Sequence, residues 1–215
     1  LQGRLEKYRR DMKRSRSRRG SMWTTSHSSV VDRLQSTALG ISEGMEYLHQ
    51  NGVVLRDLKP DNIGFDNNGG TPKIFDLGFA REVHLLQENE VAGSLRYMAP
   101  EVALGHGATF ASDIYSFGVL LWELCTLQRA FQKHSSSSEN FREKVIVGGW
   151  RPPVSSIKSA ALRRLIEQCW DSNPEARPPS FSRIVKVLQV EIALDVSSWM
   201  KPDRYSSASS LHRRA

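Results

Sequence analysis

The segment SDIYSFGVLLWELCTL, residues 112–127, constrains the fold more than any other part of this 215-residue chain. Its apolar residues would cover nearly every face of the helix that they form. Such a helix is stable in water only when other elements surround it, because exposed apolar surface is unfavourable. The segment therefore predicts a central buried helix in a mainly α-helical domain.

Helical periodicity also marks the segment before residue 53. Apolar residues recur there at helical spacing: Val30, Leu34, Leu39, Ile41, Met45 and Leu48. Ser29 is a candidate N-cap with Asp32 in the first turn, and Asn51-Gly52 is a candidate stop. Further helices are predicted near residues 1–12, 140–148, 158–170 and 180–193, with HSSSSEN (134–140) as a polar loop.

Three short extended segments follow the first long helix, at Val53–Leu55, Ile63–Phe65 and Lys73–Phe75. The last two flank DNNGGT, which is rich in turn-forming residues and predicts a β-hairpin. The chain then lacks clear periodicity until the central helix.

The net charge of +7 is concentrated at the N-terminal end. Residues 1–20 hold nine Lys or Arg and two acidic residues, whereas residues 21–215 hold 21 of each sign. We interpret residues 9–29 as a basic, Ser/Arg-rich insert and favour a solvated loop, because the basic residues stop near Arg19. Nucleic-acid binding or nuclear import through KRSRSRR is the less favoured alternative. Ser21 follows Arg18-Arg19-Gly20 and is a candidate phosphorylation site, with an unmodified loop as the alternative.

Other features bear on the compartment. No apolar stretch is long enough to span a bilayer, and LQGRLEKYRR lacks the apolar core of a signal peptide. The chain does not begin with Met, so we expect it to start inside a longer protein. Cys125 and Cys169 lie in apolar helical patterns, which favours a reducing, intracellular compartment, cytoplasmic or nuclear, over a disulfide framework.

The strongest functional signal is an ordered series of motifs. It consists of RDLKPDN (56–62), Asp76 before Leu77-Gly78, YMAPE (97–101), SDIYSFG (112–118) and Arg177 in NPEARPPSF. In this order and at these separations, the series resembles the C-terminal lobe of a eukaryotic protein kinase. The resemblance covers residues 1–193 and leaves 194–215 as a flexible tail. The segments around residues 112 and 177 are most similar to the tyrosine-kinase-like branch of Ser/Thr kinases.

The resemblance implies a phosphoryl-transfer site for ATP and Mg²⁺. In it, Asp57 orients or accepts the proton of a substrate hydroxyl, and Lys59 contacts the transferred phosphoryl group. Asn62 and Asp76 would supply oxygen ligands to Mg²⁺, a hard cation that prefers them. Lys59 is more typical of Ser/Thr kinases than of Tyr kinases, so the expected partner is a protein substrate with Ser or Thr.

Other matched residues imply structural or regulatory roles. Glu101 and Arg177 match a buried ion pair, Asp113 matches the residue that holds the backbone of the catalytic loop, and Ser94 matches a hydroxyl beside the catalytic Asp. Arg56 matches the residue that receives an activating phosphate in many kinases.

The activation segment itself lacks the residues that such a phosphate needs. Residues 79–93 contain no Ser, Thr or Tyr. We hypothesise that Glu88 or Glu90 supplies the negative charge instead, with two solvated glutamates as the alternative.

Three departures from the family pattern stand out. No glycine-rich loop or strand lysine precedes residue 56, so we expect a lobe without its N-terminal partner, inactive as it stands. Leu55 and Leu77 replace the usual His and Phe of a hydrophobic spine, where two leucines could still pack. Gly64 replaces a bulky apolar residue under the adenine, a gap that Phe65 or a neighbour could fill.

The sequence therefore favours a protein Ser/Thr kinase lobe. The alternative is a pseudokinase-like scaffold that keeps the fold but not the turnover. The presence of Asp57, Asn62 and Asp76 favours the enzyme, whereas Gly64 and the lack of an N-terminal lobe favour the scaffold.

Overall fold

The computed structural model describes residues 1–17, 30–66 and 70–199. Most of these residues are helical, as the sequence predicted. The α-helices are α1 (Gln2–Ser17), α2 (Val30–Arg33), α3 (Leu39–Gln50), α4 (Pro100–Ala103), α5 (Phe110–Thr126), α6 (Ser138–Phe141), α7 (Ala160–Cys169) and α8 (Phe181–Trp199). The π-helical segments are Leu34–Ala38 and Arg142–Val147, and the 3₁₀ turns are Pro60–Asn62, Val83–Leu85, Gln132–His134 and Pro174–Ala176.

The strands are short and form two antiparallel pairs among the described residues. They are β1 (Val53–Val54), β2 (Ile63–Phe65), β3 (Pro72–Ile74) and β4 (Arg81–Glu82). β1 pairs with β4, and β2 pairs with β3 in a register that places Gly64 opposite Lys73. The predicted hairpin is thus confirmed, although its second strand begins and ends one residue earlier than expected.

Helix α5 is the centre of the core. Its side chains are buried from Ser112 to Cys125, including Tyr115 and Phe117, which are fully enclosed. The backbone N–H of Thr109 donates to Ser112 Oγ (3.1 Å) and caps the helix start. Leu127 ends the helix with φ +55°. The prediction of a central buried helix is confirmed.

The helix predicted before residue 53 runs from Val30 to Gln50, with Leu34–Ala38 as a wider π turn. It ends where predicted, because Gly52 adopts φ +73°, which a residue without a Cβ tolerates. Arg33 is buried and its Nη2 donates to the carbonyl of Cys125 (3.2 Å) near the C-terminal end of α5. This contact ties the predicted helix to the core helix.

Several predicted boundaries are wrong. The basic insert is not a loop throughout, because α1 continues to Ser17; no Gly or Pro interrupts residues 4–19. The helix predicted near residues 180–193 is longer than expected, because α8 continues without a helix breaker to Trp199. The polar loop HSSSSEN ends early, where Ser137 Oγ accepts from the N–H of Asn140 and starts α6. The candidate cap Ser29 and candidate modification site Ser21 lie outside the described residues, as do residues 200–215.

Both cysteines are free and buried. Burial raises the pKa of the Cys125 thiol to about 12, so this thiol stays protonated and unreactive at neutral pH. Within the part of the chain that the structure describes, no helix combines the length and apolar character needed to cross a membrane.

Candidate active site

The buried carboxylate of Asp113, at the start of α5, holds the loop that begins at Leu55. Its two oxygens accept from the backbone N–H groups of Leu55 and Arg56, each at 2.8 Å. Arg56 adopts φ +71°, a conformation that costs a non-glycine residue of order 1–3 kcal/mol. The bonds from Asp113 fix this strained turn and thereby set the direction of the residues that follow.

His49 completes the anchor and was missed by the sequence reasoning. Its Nε2 lies 2.9 Å from Asp113 Oδ2, and its ring packs against Phe110 and Phe181 at centroid distances of 4.5 and 5.0 Å. His49 lies in the last turn of α3, and no local pattern links it to an Asp that is 64 residues away.

Asp57 lies at the centre of the site, with its carboxylate almost fully buried. Oδ1 accepts from the backbone N–H of Ser94 (2.8 Å), whereas Oδ2 accepts from Lys59 Nζ (2.5 Å) and Asn62 Nδ2 (3.1 Å). A carboxylate has about four acceptor positions, so one remains for a further donor. The arrangement is suited to accept a hydrogen bond from a substrate hydroxyl.

Lys59 and Ser94 form the second side of the site. Lys59 Nζ also donates to Ser94 Oγ (2.9 Å), and its side chain remains 21% exposed. The ammonium group is therefore positioned by two oxygens but can still reach an anion brought in from solvent. The structure brings these two sequence-predicted residues together with Asp57.

Asn62 and Asp76 are connected through the backbone of the hairpin. Asn62 Nδ2 donates to both the carbonyl and the carboxylate of Asp57, which leaves its amide oxygen as the atom suited to a cation. The N–H of Phe75 donates to the Asn62 carbonyl (3.0 Å), and this bond places Asp76 next along the chain. Asp76 is exposed with φ +61°, and its carboxylate turns towards Gly78, which has no side chain to obstruct it.

These two side chains fit the chemistry of a Mg²⁺ site, since they offer one amide and one carboxylate oxygen. The described residues include no group of three or more His, Cys, Asp or Glu side chains arranged to hold a metal. A Mg²⁺ ion held by Asn62 and Asp76 would therefore need further oxygen ligands, such as the waters that this ion usually keeps.

Arg56 contacts one of the two glutamates proposed to replace a phosphate. Its Nη1 donates to Glu90 Oε1 at 3.0 Å, and its side chain is 1% exposed whereas that of Glu90 is 37% exposed. Among the described contacts of Arg56, Glu90 is present and Glu88 is absent. The geometry thus favours Glu90, while Nε and Nη2 of Arg56 are buried without a protein partner.

Gly93 lets the activation segment approach the catalytic loop and was not singled out from the sequence. It adopts φ +107°, and a Cβ placed on it would lie 2.4 Å from the carbonyl oxygen of Arg56. This close approach brings the next residue, Ser94, within hydrogen-bonding distance of Asp57. A glycine directly before Ser94 was the available signal.

Glu101 and Arg177 form a bidentate ion pair below the site. Arg177 Nη1 and Nη2 donate to the two Glu101 oxygens at 2.6 and 2.8 Å. Arg177 also donates to the carbonyls of Ala111 (2.9 Å) and Asp171 (3.0 Å), so it joins α4 to the starts of α5 and the 3₁₀ turn near Pro174.

A second buried acid lies near the end of α5. Glu123 accepts from the N–H of Ala130 (2.7 Å), and Tyr97 donates to its other oxygen at 3.4 Å. Burial raises the pKa of Glu123 above its ordinary value, and burial together with Glu123 raises the pKa of Tyr97. The sequence reasoning did not identify this pair, which ties YMAPE to the core helix.

The spine positions behave differently from the expectation of two packed leucines. Leu55 is 1% exposed within the core, whereas Leu77 is 51% exposed. Leu77 does not pack in the core of the described residues, because it lies on an exposed turn in which the N–H of Ala80 donates to its carbonyl. Gly64 lies in β2 under the ring of Phe75.

Comparisons of the sequence with known proteins show the family of this chain. The sequence profile of the protein kinase domain matches residues 14–189. The chain is 38% identical over 164 residues to the serine/threonine/tyrosine-protein kinase HT1 of Arabidopsis thaliana, covering 76% of this chain and 41% of HT1. It is 40% identical over 151 residues to the dual specificity protein kinase shkC of Dictyostelium discoideum, covering 67% of this chain and 29% of shkC.

A third relative is the human mitogen-activated protein kinase kinase kinase 10, 35% identical over 167 residues, with 73% of this chain and 17% of that protein covered. The chain thus spans less than half the length of each of these relatives. The profile match extends over most of the chain and includes every site residue described above, so the chain belongs to the protein kinase domain family.

Proposed function

We propose that residues 1–193 are the C-terminal lobe of a protein Ser/Thr kinase, which transfers the γ-phosphoryl group of ATP to protein hydroxyls. The observation that carries this proposal is the Asp57 carboxylate, which is held by Ser94, Lys59 and Asn62 and keeps one acceptor position free. Lys59, which donates to the same carboxylate, remains 21% exposed, so an anion from solvent can reach this cluster.

The residues would act in the following way. Asp57 orients the substrate hydroxyl and receives its proton as the hydroxyl oxygen bonds to the γ-phosphorus and the bond to ADP breaks. Lys59, already 2.5 Å from Asp57, offsets negative charge on the transferred group. Mg²⁺, when bound by Asn62 and Asp76, supplies further charge neutralisation on the phosphates.

Ser and Thr are the proposed acceptors, and the tyrosine-kinase-like branch is the proposed subgroup. Support comes from Lys59 and from the names of similar proteins, which include a probable serine/threonine-protein kinase and a mitogen-activated protein kinase kinase kinase. Other relatives are named as dual specificity kinases, so phosphorylation of Tyr is the outcome that would correct this part of the proposal.

The scaffold alternative is also supported by a specific observation. Leu77, which the family resemblance places in the spine, is half exposed, and Gly64 lacks the bulky side chain that the resemblance places under the adenine. A scaffold would retain the Asp113 and Arg177 contacts, which hold the fold, without needing the free acceptor on Asp57.

The test is a transfer assay with a chimera in which the nucleotide-binding lobe of HT1 precedes residue 1, because residues 1–55 contain no glycine-rich loop. We expect Mg²⁺-dependent phosphorylation of Ser or Thr in a broad substrate such as myelin basic protein. Asp57→Asn should abolish transfer, while a cooperative thermal transition should show that the variant still folds, although it loses part of its hydrogen bonding to Lys59, Asn62 and Ser94.

The matched control is Asp61→Asn, which removes an exposed carboxylate from the same loop without touching Asp57 and should leave transfer unchanged. A folded chimera that binds MgATP but transfers nothing would overturn the enzyme proposal in favour of the scaffold. Equal activity of Asp57→Asn and the parent would overturn the assignment of Asp57.

A further inference from the structure

The β2–β3 hairpin carries an unusual pair of residues on one face. Gly64 lies opposite Lys73 in the ladder, and Phe75 is the diagonal neighbour on the same face. A Cβ placed on Gly64 would lie 3.1 Å from Cε1 and 3.3 Å from Cδ1 of Phe75. The ring of Phe75 therefore occupies the space in which a side chain at position 64 would begin.

Phe75 is held in this place by its backbone and remains available on its outer side. Its N–H donates to the carbonyl of Asn62 (3.0 Å), so the residue is fixed directly beside the catalytic loop. The side chain is 48% exposed, although a phenylalanine has a strong tendency to be buried. A flat apolar ligand placed over the hairpin would cover the exposed part of the ring.

Phe65, the other candidate to fill the gap, lies elsewhere. In a strand, successive side chains point to opposite faces, so Phe65 shares its face with the buried Ile63 and not with Gly64. The guanidinium of Arg4 lies 3.6 Å from the centre of the Phe65 ring and covers it. Phe75 alone among these two aromatics faces the space above Gly64.

We propose that Phe75 replaces the missing side chain of position 64 and forms the apolar floor against which the adenine ring of the nucleotide packs. The proposal rests on the proposed function, because it assigns a nucleotide to this site. A Cβ on residue 64 would press against the ring, so a larger residue there would require the ring to shift. Gly64 and Phe75 are then one coupled feature, in which the large side chain has moved from β2 to the end of β3.

The first experiment tests the placement without any nucleotide. In the full chain, the ring of Phe75 should shift the α-proton resonances of Gly64 away from ordinary strand values, and Phe75→Leu should remove this ring-current shift. Unchanged Gly64 resonances in Phe75→Leu would overturn the placement of the ring, and with it the proposal.

The second experiment measures the dissociation constant of MgADP by calorimetry in the HT1-lobe chimera. Removal of an aromatic ring from a base-stacking position typically weakens binding by about tenfold or more, and we expect this for Phe75→Ala. Gly64→Leu should also weaken binding, because its side chain would displace the ring. The double variant Gly64→Leu/Phe75→Ala should recover to within about threefold of the parent, since one large side chain is again present.

Tyr47→Ala, which removes a ring that is 66% exposed on α3, is the control and should leave the dissociation constant unchanged. If the losses of the two single variants simply add in the double variant, Gly64 and Phe75 do not replace one another and the inference is wrong, while the kinase proposal stands. If the parent chimera itself binds no MgADP, the proposed function fails and the inference with it.

Discussion

The ion pair between Glu101 and Arg177 offers the clearest test of what holds this domain together. We consider Glu101→Gln, which removes the charge but nearly preserves the shape. Arg177 has a side chain that is 0% exposed, and that of Glu101 is 13% exposed. After the substitution, the guanidinium would remain buried with its contacts to the carbonyls of Ala111 and Asp171 but without a counter-charge.

The magnitude follows from this arrangement. Breaking a buried ion pair by removing one partner costs about 3–5 kcal/mol, because the remaining charge is uncompensated. The two carbonyl contacts and the oxygen of the new glutamine offset part of this loss, so we expect the lower end, about 3 kcal/mol. For a chain of this size, that loss corresponds to a decrease in melting temperature of about 6–12 °C.

Urea denaturation of the full chain, followed by circular dichroism, measures the free energy of unfolding directly. The control is Glu175→Gln, which removes an exposed carboxylate from the 3₁₀ turn near Arg177 and should change stability by less than about 0.5 kcal/mol. A loss below about 1 kcal/mol in Glu101→Gln, with an unchanged slope against urea, would refute the stranded-charge argument.

Three further predictions concern the activation segment and the core. Glu90→Gln should lower the transfer activity of the chimera severalfold, and more at low salt, because Arg56 loses its charged partner. Glu88→Gln and phosphatase treatment should leave the activity unchanged. Equal activity of the two variants would contradict the role of Glu90. Gly93→Ala should lower the free energy of unfolding by about 1–3 kcal/mol, because residue 93 adopts φ +107° and its new Cβ would overlap the carbonyl of Arg56. An unaffected urea midpoint would be inconsistent with this close approach. For Glu123, whose pKa is raised by burial, the folded state binds the proton more tightly than the unfolded state, so stability falls as the pH rises above 4.5. Glu123→Gln should therefore gain stability relative to the parent as the pH rises above 4.5, and a difference independent of pH would argue against a raised pKa.

Local patterns in the sequence were enough to predict the main helices and the hairpin. The apolar residues of α5 appear on every face of the helix, and only a buried position suits such a segment. The turn residues of DNNGGT and the glycine at position 52 act within a few residues of themselves, so their effect does not depend on the rest of the fold. The errors lie at helix ends, where α1 and α8 continue for several residues because no helix breaker stops them.

At the site, the sequence predicted the residue types but not all of their contacts. The motif resemblance predicted which residue types to expect at Asp57, Lys59, Asn62 and Asp76, and the structure brings the first three into contact. The sequence did not reveal His49 beside Asp113, Glu90 rather than Glu88 on Arg56, or the ring of Phe75 over Gly64.

By itself, then, the sequence determined the elements whose causes are local: the periodicity of α3 and α5, the turns after Asn51 and Phe65, and the order of the catalytic motifs. Only the tertiary structure decided that His49 meets Asp113 and that Glu90 rather than Glu88 meets Arg56. His49 and Asp113 are 64 residues apart, and Arg56 and Glu90 are 34 residues apart. The physical reason is that a hydrogen bond or ion pair depends on distances of about 3 Å between atoms, and these are set by how the helices pack around α5 rather than by separation along the chain.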